Sequence, residues 1–467
     1  MRSLVVVSVL AVLASSGVAR ARSHGHHHGG VHHRPTRVGP SEAELKSALE
    51  ALRAGDSRLC TLAVDRLSDG SWERGRQRLD GEDAPPVLSR GPVKAPAGLA
   101  LLGDALADPR PCVRRAAAIW LGDSPVPDAL TRLTTGLRST SPAVREAAAY
   151  GLGMHGDGAA RDGLVAALRD PATPVVVAAT WALGRSEDPR NVTALKGALQ
   201  HAEARVRVAA ADALGETEDT AAVEPLVARR QDPDASVRHA VASALGGLED
   251  RRAVPSLLAL ATDRASEVRE AALEALAALE DPKALEVARA ALTDPVADVR
   301  HAAVRAVASL EDPGALNALA SALGDSEPDI RSEAARALGR LEDPRAAPAL
   351  SRAAKDAVVE VRVAAVESLG ELEGLGAAPP ALLEASRDMV AEVRTAAAEA
   401  MRAFPRDGAA AGRLAALMQD SDRSVRRAAA ESLVHVELPE ARAALRAALA
   451  DGDPGVRRAA ARGLGRN

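Results

Sequence analysis

Aromatic side chains are almost missing from this sequence: its 467 residues include one Tyr, one Phe and three Trp. An ordinary globular core draws much of its buried area from such rings, and surfaces that stack single-stranded nucleic acid need them too, so both are disfavoured. Cysteine is equally scarce. Only Cys60 and Cys112 occur, which excludes a disulfide-dense scaffold and the cysteine-rich metal sites. Charge of one sign is lacking as well: 59 basic and 64 acidic residues are interspersed and leave a net of -5, so no broad field attracts nucleic acid or an anionic membrane. Beyond the N-terminus no apolar run is long enough to cross a bilayer. Phosphate-cradling Gly loops, a nucleophile elbow and paired-Cys metal spacings are absent too, so neither catalysis nor a cofactor is expected.

What the chain does contain is Ala, Leu and Arg in a fixed order that returns about every 31 residues, twelve times. An Arg marks the register at Arg114, Arg145, Arg207, Arg238, Arg269, Arg300, Arg331, Arg362, Arg394, Arg426 and Arg457, with Val176 in the place of the third. Seven residues on stands an apolar residue, as in Leu121, Leu152, Leu214 and Leu245. Six residues before the Arg stands an Asp in most copies, from Asp108 to Asp451; Ser139 and His201 are the exceptions.

Each copy has room for two helices. In the fifth, a first helix is expected over 219–230, a turn at Gln231-Asp232-Pro233-Asp234, and a second helix over 235–245. The Asp-Pro pairs at Asp188, Asp281, Asp312 and Asp343 suit starts of first helices, because Asp accepts from free N–H groups and Pro at the first position forfeits nothing. Gly122, Gly184, Gly215 and Gly370, eight residues past the register position, are expected to be left-handed helix ends. At 100° per residue, positions -1, +3 and +7 from the Arg form the buried side of the second helix. Positions +2 and +6 are almost always small and let neighbouring copies approach. Positions +1 and +5 point away and vary, so a partner would be read there.

This arrangement, an Asp followed by Val-Arg six residues later and then by Ala-Ala and Leu-Gly, resembles HEAT repeats, specifically the short kind found in phycobilin lyases. The resemblance runs from Pro96 to Asn467 and implies an all-α, right-handed α-solenoid of about twelve two-helix repeats, with a degenerate cap repeat at its N-terminal end. It also implies that Asp232, Arg238 and their equivalents form a structural ladder between repeats, and that the second helices line a concave surface. Tetratricopeptide repeats match less well, because their aromatic positions are missing. Two enzymatic relatives are disfavoured: the di-iron hydroxylases of similar architecture use His-Glu pairs, which this chain lacks, and phycobilin lyases act on cytosolic antenna proteins.

The domain reading is a signal peptide at 1–21, a His- and Gly-rich linker expected to be disordered at 22–40, a cap repeat with an irregular insertion at 41–95, and the repeat array at 96–467. Arg2, the apolar run from Leu4 to Leu13 and the small residues around Ala19 and Ala21 carry the signal peptide, so an exported protein, periplasmic or extracellular, is expected. In the linker, His24, His26, His27, His28, His32 and His33 would bind divalent metal adventitiously. A periplasmic metal-handling accessory is the alternative function. The array's own histidines, at His155, His201, His239, His301 and His435, share no register position and are expected to be solvated. Ser41 and Glu44 form a capping box at the start of a helix, and Cys60 falls in the Arg place of the cap repeat. A Cys60–Cys112 disulfide is expected to stand where the Asp-Arg rung would otherwise be; two free buried thiols are the alternative.

One stretch departs from the pattern. Position +5 carries Ile119, Tyr150 and Trp181 in the first three copies and polar residues afterwards; Val177 and Val208 join them at +1. The Asp-Arg pattern lapses over the same copies. An exposed apolar stripe on a concave face points to docking of a protein or peptide, against two blander explanations, cover by the 69–95 insertion and drift. Trp120, at the normally small +6 position, is expected to pack inward.

Overall fold

The computed structural model describes residues 39–55, 92–156, 158–186, 188–310 and 314–465. Helices account for every regular element among them. Twelve pairs follow one another from Pro96–Ala105 and Pro111–Gly122 to Pro439–Ala448 and Pro454–Gly465, preceded among the described residues by the helix Glu42–Ala54.

Local chemistry sets each boundary. Asp219, Asp250, Asp281 and Asp343 each accept a backbone N–H two residues on and so open the first helix of their repeat. The residue before each of them, Glu218, Glu249, Glu280 or Glu342, takes a left-handed backbone with φ near 50°, which turns the chain out of the preceding second helix. The glycines expected in that role do something else. Gly184, Gly215 and Gly370 lie inside helices that continue to Arg185, Glu216 and Glu371, and none has positive φ. A Cβ on Gly184 would meet Ala213 Cβ at 2.6 Å, and one on Gly215 would meet Ala244 Cα at 2.9 Å. Gly122 is likewise helical and backs onto the carbonyl of Gly151. At these positions glycine serves the close approach of successive second helices, backbone to backbone, a spacing reason that replaces the capping one; the copies with Ala277, Ala308, Arg402 or Val434 at +8 do not share it.

The core follows the expected stripe. Val237, Val241 and Leu245, at -1, +3 and +7 of the fifth copy, are fully buried, and the same positions repeat along the array as one continuous cluster with Trp120 near its N-terminal end. Second helices pack closely on one another along the array, while first helices of adjacent repeats touch far less. The second-helix layer is therefore the shorter, inner one, and its free side is the concave face.

The expected ladder is present. Arg207 donates from Nε and Nη2 to the two carboxylate oxygens of Asp232 in the next repeat, at 2.8 and 2.7 Å. Its Nη1 donates to the carbonyls of His201 and Ala202, both at 2.9 Å, at the turn of its own repeat. Each such Arg thus ties its own turn to the following one. The pattern recurs from Arg145–Asp170 to Arg426–Asp451. Where the sequence lapses, the turn survives without the rung: Ser139 Oγ and His201 Nδ1 accept the N–H groups of Ser141 and Glu203, as the Asp carboxylate does elsewhere. Val176, opposite His201, is buried and apolar.

At the N-terminal end the capping box forms, with Ser41 N–H donating to Glu44 at 2.7 Å. The first rung is a correction to the register: Asp108 is gripped by Arg53, in the last turn of Glu42–Ala54, at 2.7 Å, and not replaced by a disulfide in the Arg place. Arg110 adds bonds to the carbonyls of Leu52 and Gly55. Cys112 is disulfide-bonded; Cys60, the other cysteine of the chain, lies outside the described residues. The signal segment, the linker histidines His24, His26, His27, His28, His32 and His33, and most of the 69–95 insertion also lie outside them.

Candidate functional site

The +1 and +5 positions of the second helices form two rows along the inner face. Near the N-terminal end they carry Arg115 and Ile119, then Glu146 and Tyr150, Val177 and Trp181, Val208 and Asp212. The expectation that the apolar members are solvent-facing needs correction at each. Ile119 is only 4% exposed and belongs to the core. Tyr150, Val177, Trp181 and Val208 are half-buried. Second helices that approach as closely as they do at Gly122, Gly153, Gly184 and Gly215 leave little room between their inner rows, so side chains that a lone helix would hold in water lean on their neighbours instead.

Tyr150 and Trp181 do this most directly. Their rings stack with centroids 4.6 Å apart and planes 8° from parallel. Gly153 makes room for the indole: a Cβ there would lie 2.6 Å from Trp181 Cζ3. The two ends of the stack are closed by cations. The Arg115 guanidinium lies 4.9 Å from the Tyr150 centroid, and that of Arg185 lies 5.2 Å from the Trp181 centroid. Arg185 also donates to the Gly153 carbonyl at 3.3 Å. Four residues from three successive helices thus form one Arg–Tyr–Trp–Arg pile. Sequence reasoning found the rings and missed the arginines; the available signal was their placement at +1 and +9, flanking the two aromatic positions.

Beside Trp181 the +5 row continues with a carboxylate. Asp212 reaches solvent on one side, yet the packed helices around it strip away enough water to raise its carboxyl to about 6, with repulsion from Glu216 one turn on adding to this. Burial raises Glu216 too, against the pull of Arg185, and raises Glu146 against Arg114 and Arg115. Further along, burial raises Glu270, with Asp298 and Glu274 reinforcing it, and lowers His239 against Glu267 and Glu274. The repeat histidines are less solvated than expected: His155, His201, His239 and His301 are half-buried and only His435 is exposed. His155 Nδ1 sits 3.0 Å from the Gly122 carbonyl. Among the described residues no group of three His, Cys, Asp or Glu side chains is placed to hold a metal ion, and no helix is long and apolar enough to cross a membrane. At the far end, Arg427, Glu431, Arg458 and Arg462 line an open hollow of about 510 Å³.

The repeat geometry, the rungs and the inner face define a class: an α-solenoid of stacked helical pairs. The profile of HEAT repeats matches residues 99–184, 162–235, 223–308, 289–370, 316–402 and 410–467, and the chain belongs to the HEAT-repeat family. No curated protein matches it. Among solved structures, the chain is similar to an engineered protein from a structural genomics programme, at 21% identity over 79% of this chain and 98% of that one, with a TM-score of 0.39. A mutant of Kap121p is similar at 14% identity, over 85% of this chain and 53% of that one, with a TM-score of 0.48. Kap95p, in a structure describing its binding to RanGDP, is similar at 14% identity, over 91% and 66%, with a TM-score of 0.53. At these identities the likeness to Kap95p is one of fold.

Proposed function

We propose that this protein is an exported, noncatalytic interaction scaffold that docks a protein or peptide on its concave face, at the N-terminal end of the array. The observation that carries this is the Tyr150–Trp181 stack, half-buried in the inner row and followed directly by Val208 and Asp212. A chain this poor in aromatics has placed its only Tyr and one of three Trp on the inner row, packed against the core on one side and open to solvent on the other. Aromatic rings with arginine beside them, set in a concavity, are the composition of interface hot spots. The fold supports the reading, since Kap95p, which it resembles, binds RanGDP. Export is supported by the Arg2 and Leu4–Leu13 segment and by the disulfide at Cys112, a bond suited to an oxidising compartment.

The test is affinity capture with the tagged full chain from its native cells, comparing wild type with Trp181→Ala and with Met389→Ala, a side chain 96% exposed away from the inner rows. The expected result is a stoichiometric partner retained by wild type and Met389→Ala and depleted at least about tenfold by Trp181→Ala. Helicity should be unchanged by either substitution. Equal recovery by Trp181→Ala overturns the proposal.

A further inference from the structure

Charge on the inner face is segregated along the array. Repeats four to six place Val208, His239 and Glu270 at +1, Asp212, Ser243 and Glu274 at +5, and Glu216, Gly247 and Ala278 at +9. No Lys or Arg stands in these rows. Repeats seven and eight bring Arg305, Arg336 and Arg340 to the corresponding positions, and there the charges are partnered: Arg305 meets Glu274 at 3.1 Å and Arg340 meets Glu333 at 3.2 Å. By contrast, Asp212, Glu216 and Glu270 make no hydrogen bond or ion pair within 4 Å of any described residue, with Arg185 acting on Glu216 only at longer range. Glu367, Glu371 and Glu399 of repeats nine and ten are likewise without one, but no aromatic stack adjoins them. Crowding already raises the proton affinity of Asp212, Glu216 and Glu270, so each gains from a positive neighbour. The aromatic stack and the half-buried Val177 and Val208 adjoin these three on the N-terminal side.

Resting on the docking reading above, we infer that the inner face of repeats three to six receives a basic segment of the partner protein, an apolar side chain seated on Trp181, Val177 and Val208 and its Lys or Arg groups meeting Asp212, Glu216 and Glu270. The charge complementarity selects this occupant. An acidic segment would add its charge to unpaired carboxylates, and a wholly apolar one would cover them without compensation. The segment also crosses the junction between repeats three and four, where Val176 and His201 leave no rung and Arg161 instead donates to Asn191 at 3.1 Å.

The experiment uses the full chain and a short fluorescein-labelled peptide of Lys, Leu and Ser, with counterparts in which every Lys is Glu or Gln, read by fluorescence anisotropy. The basic peptide should bind, and the acidic and neutral ones should not. The triple variant Asp212→Asn, Glu216→Gln, Glu270→Gln should weaken binding at least about tenfold, as should raising salt from about 0.05 to about 0.3 M. A control triple on the first-helix surface, Asp162→Asn, Glu224→Gln, Glu286→Gln, removes the same charge and should change affinity less than about twofold. Overturning results are unchanged binding by the inner-face triple, equal loss in the control triple, preference for the acidic peptide, or no binding of any peptide. A dimer of the chain that the inner-face triple dissolves would show that a second copy fills the site, and would also overturn the inference. The docking reading fails separately: a captured partner that depends on Trp181 but is retained by the inner-face triple keeps docking and removes the basic segment.

Discussion

Arg207 and Asp232, 25 residues apart in sequence, are joined across two repeats by parallel hydrogen bonds of 2.8 and 2.7 Å, with the carboxylate fully buried and the guanidinium nearly so. Asp232 also accepts the N–H of Asp234 at 3.1 Å. One buried pair therefore holds two turns and the spacing between them. In an array where each repeat touches only its neighbours, the loss of one rung is felt at that junction.

Asp232→Ala strands the Arg207 charge among buried groups, and the expected loss is about 3–5 kcal/mol in urea unfolding of the full chain. Asp250→Ala, which removes an exposed cap on Arg252 N–H, should cost only about 1 kcal/mol. Equal losses at the two sites would contradict a structural role for the rung.

Building the missing rung is the converse test. Val176→Arg alone places a charge in a buried apolar site and should destabilise by more than about 2 kcal/mol. Adding His201→Asp should recover most of that loss, giving a coupling energy above about 1 kcal/mol in a double-mutant cycle. Additive effects would mean that the third and fourth repeats are not stacked like the others.

Much of this architecture is legible in the sequence, and the failures share a cause. The Arg register, the core stripe and the Asp caps follow from one helix at a time, so Val237, Val241, Leu245 and Asp281 fall where periodicity and capping put them. What depends on the distance between helices does not. Gly184 reads as a helix end because Leu-Gly usually is one, yet its reason lies in Ala213 of the next repeat. Ile119 reads as exposed on an isolated cylinder and is buried by its neighbours. Arg53 is not legible as a rung because the insertion that follows breaks the period, and Cys60, with Leu67 seven residues on, fits the register spacing better.

Those glycines give a substitution with an inverted sign. Gly412 sits in a helix with open space where a Cβ would be, so Gly412→Ala should stabilise by about 0.5–1 kcal/mol. Gly184→Ala gains the same helix propensity but drives Cβ into Ala213, and should cost about 1–3 kcal/mol net. Thermal unfolding of the two variants decides it. A gain at Gly184 would contradict the backbone contact.

Two sets of carboxylates impose opposite pH dependences. Asp263, Asp325 and Asp420 are held below the usual 3.8 by hydrogen bonds from Arg238, Arg300 and Arg394, so their stabilisation is complete above 3.8 and is lost as pH falls through their folded values. Asp212, raised to about 6, binds its proton more tightly in the folded state and penalises folding above that pH. Stability should therefore be nearly flat near neutrality, rise as pH falls through about 6 and drop below about 3.8. Asp212→Asn should raise the melting temperature near neutrality by an increment that shrinks as pH falls from about 6 towards 3.8. A pH-independent increment would mean that Asp212 is not crowded in the groove.

The central claim is that the inner face at repeats three and four is where a partner docks. Its most direct test is photocrosslinking in the native cell, with a benzophenone side chain placed at Val208 in one chain and at Glu286, on a first helix, in another. Docking there gives a discrete adduct from Val208 that disappears in the Trp181→Ala background, and none from Glu286. An adduct from Glu286 with none from Val208 would contradict it.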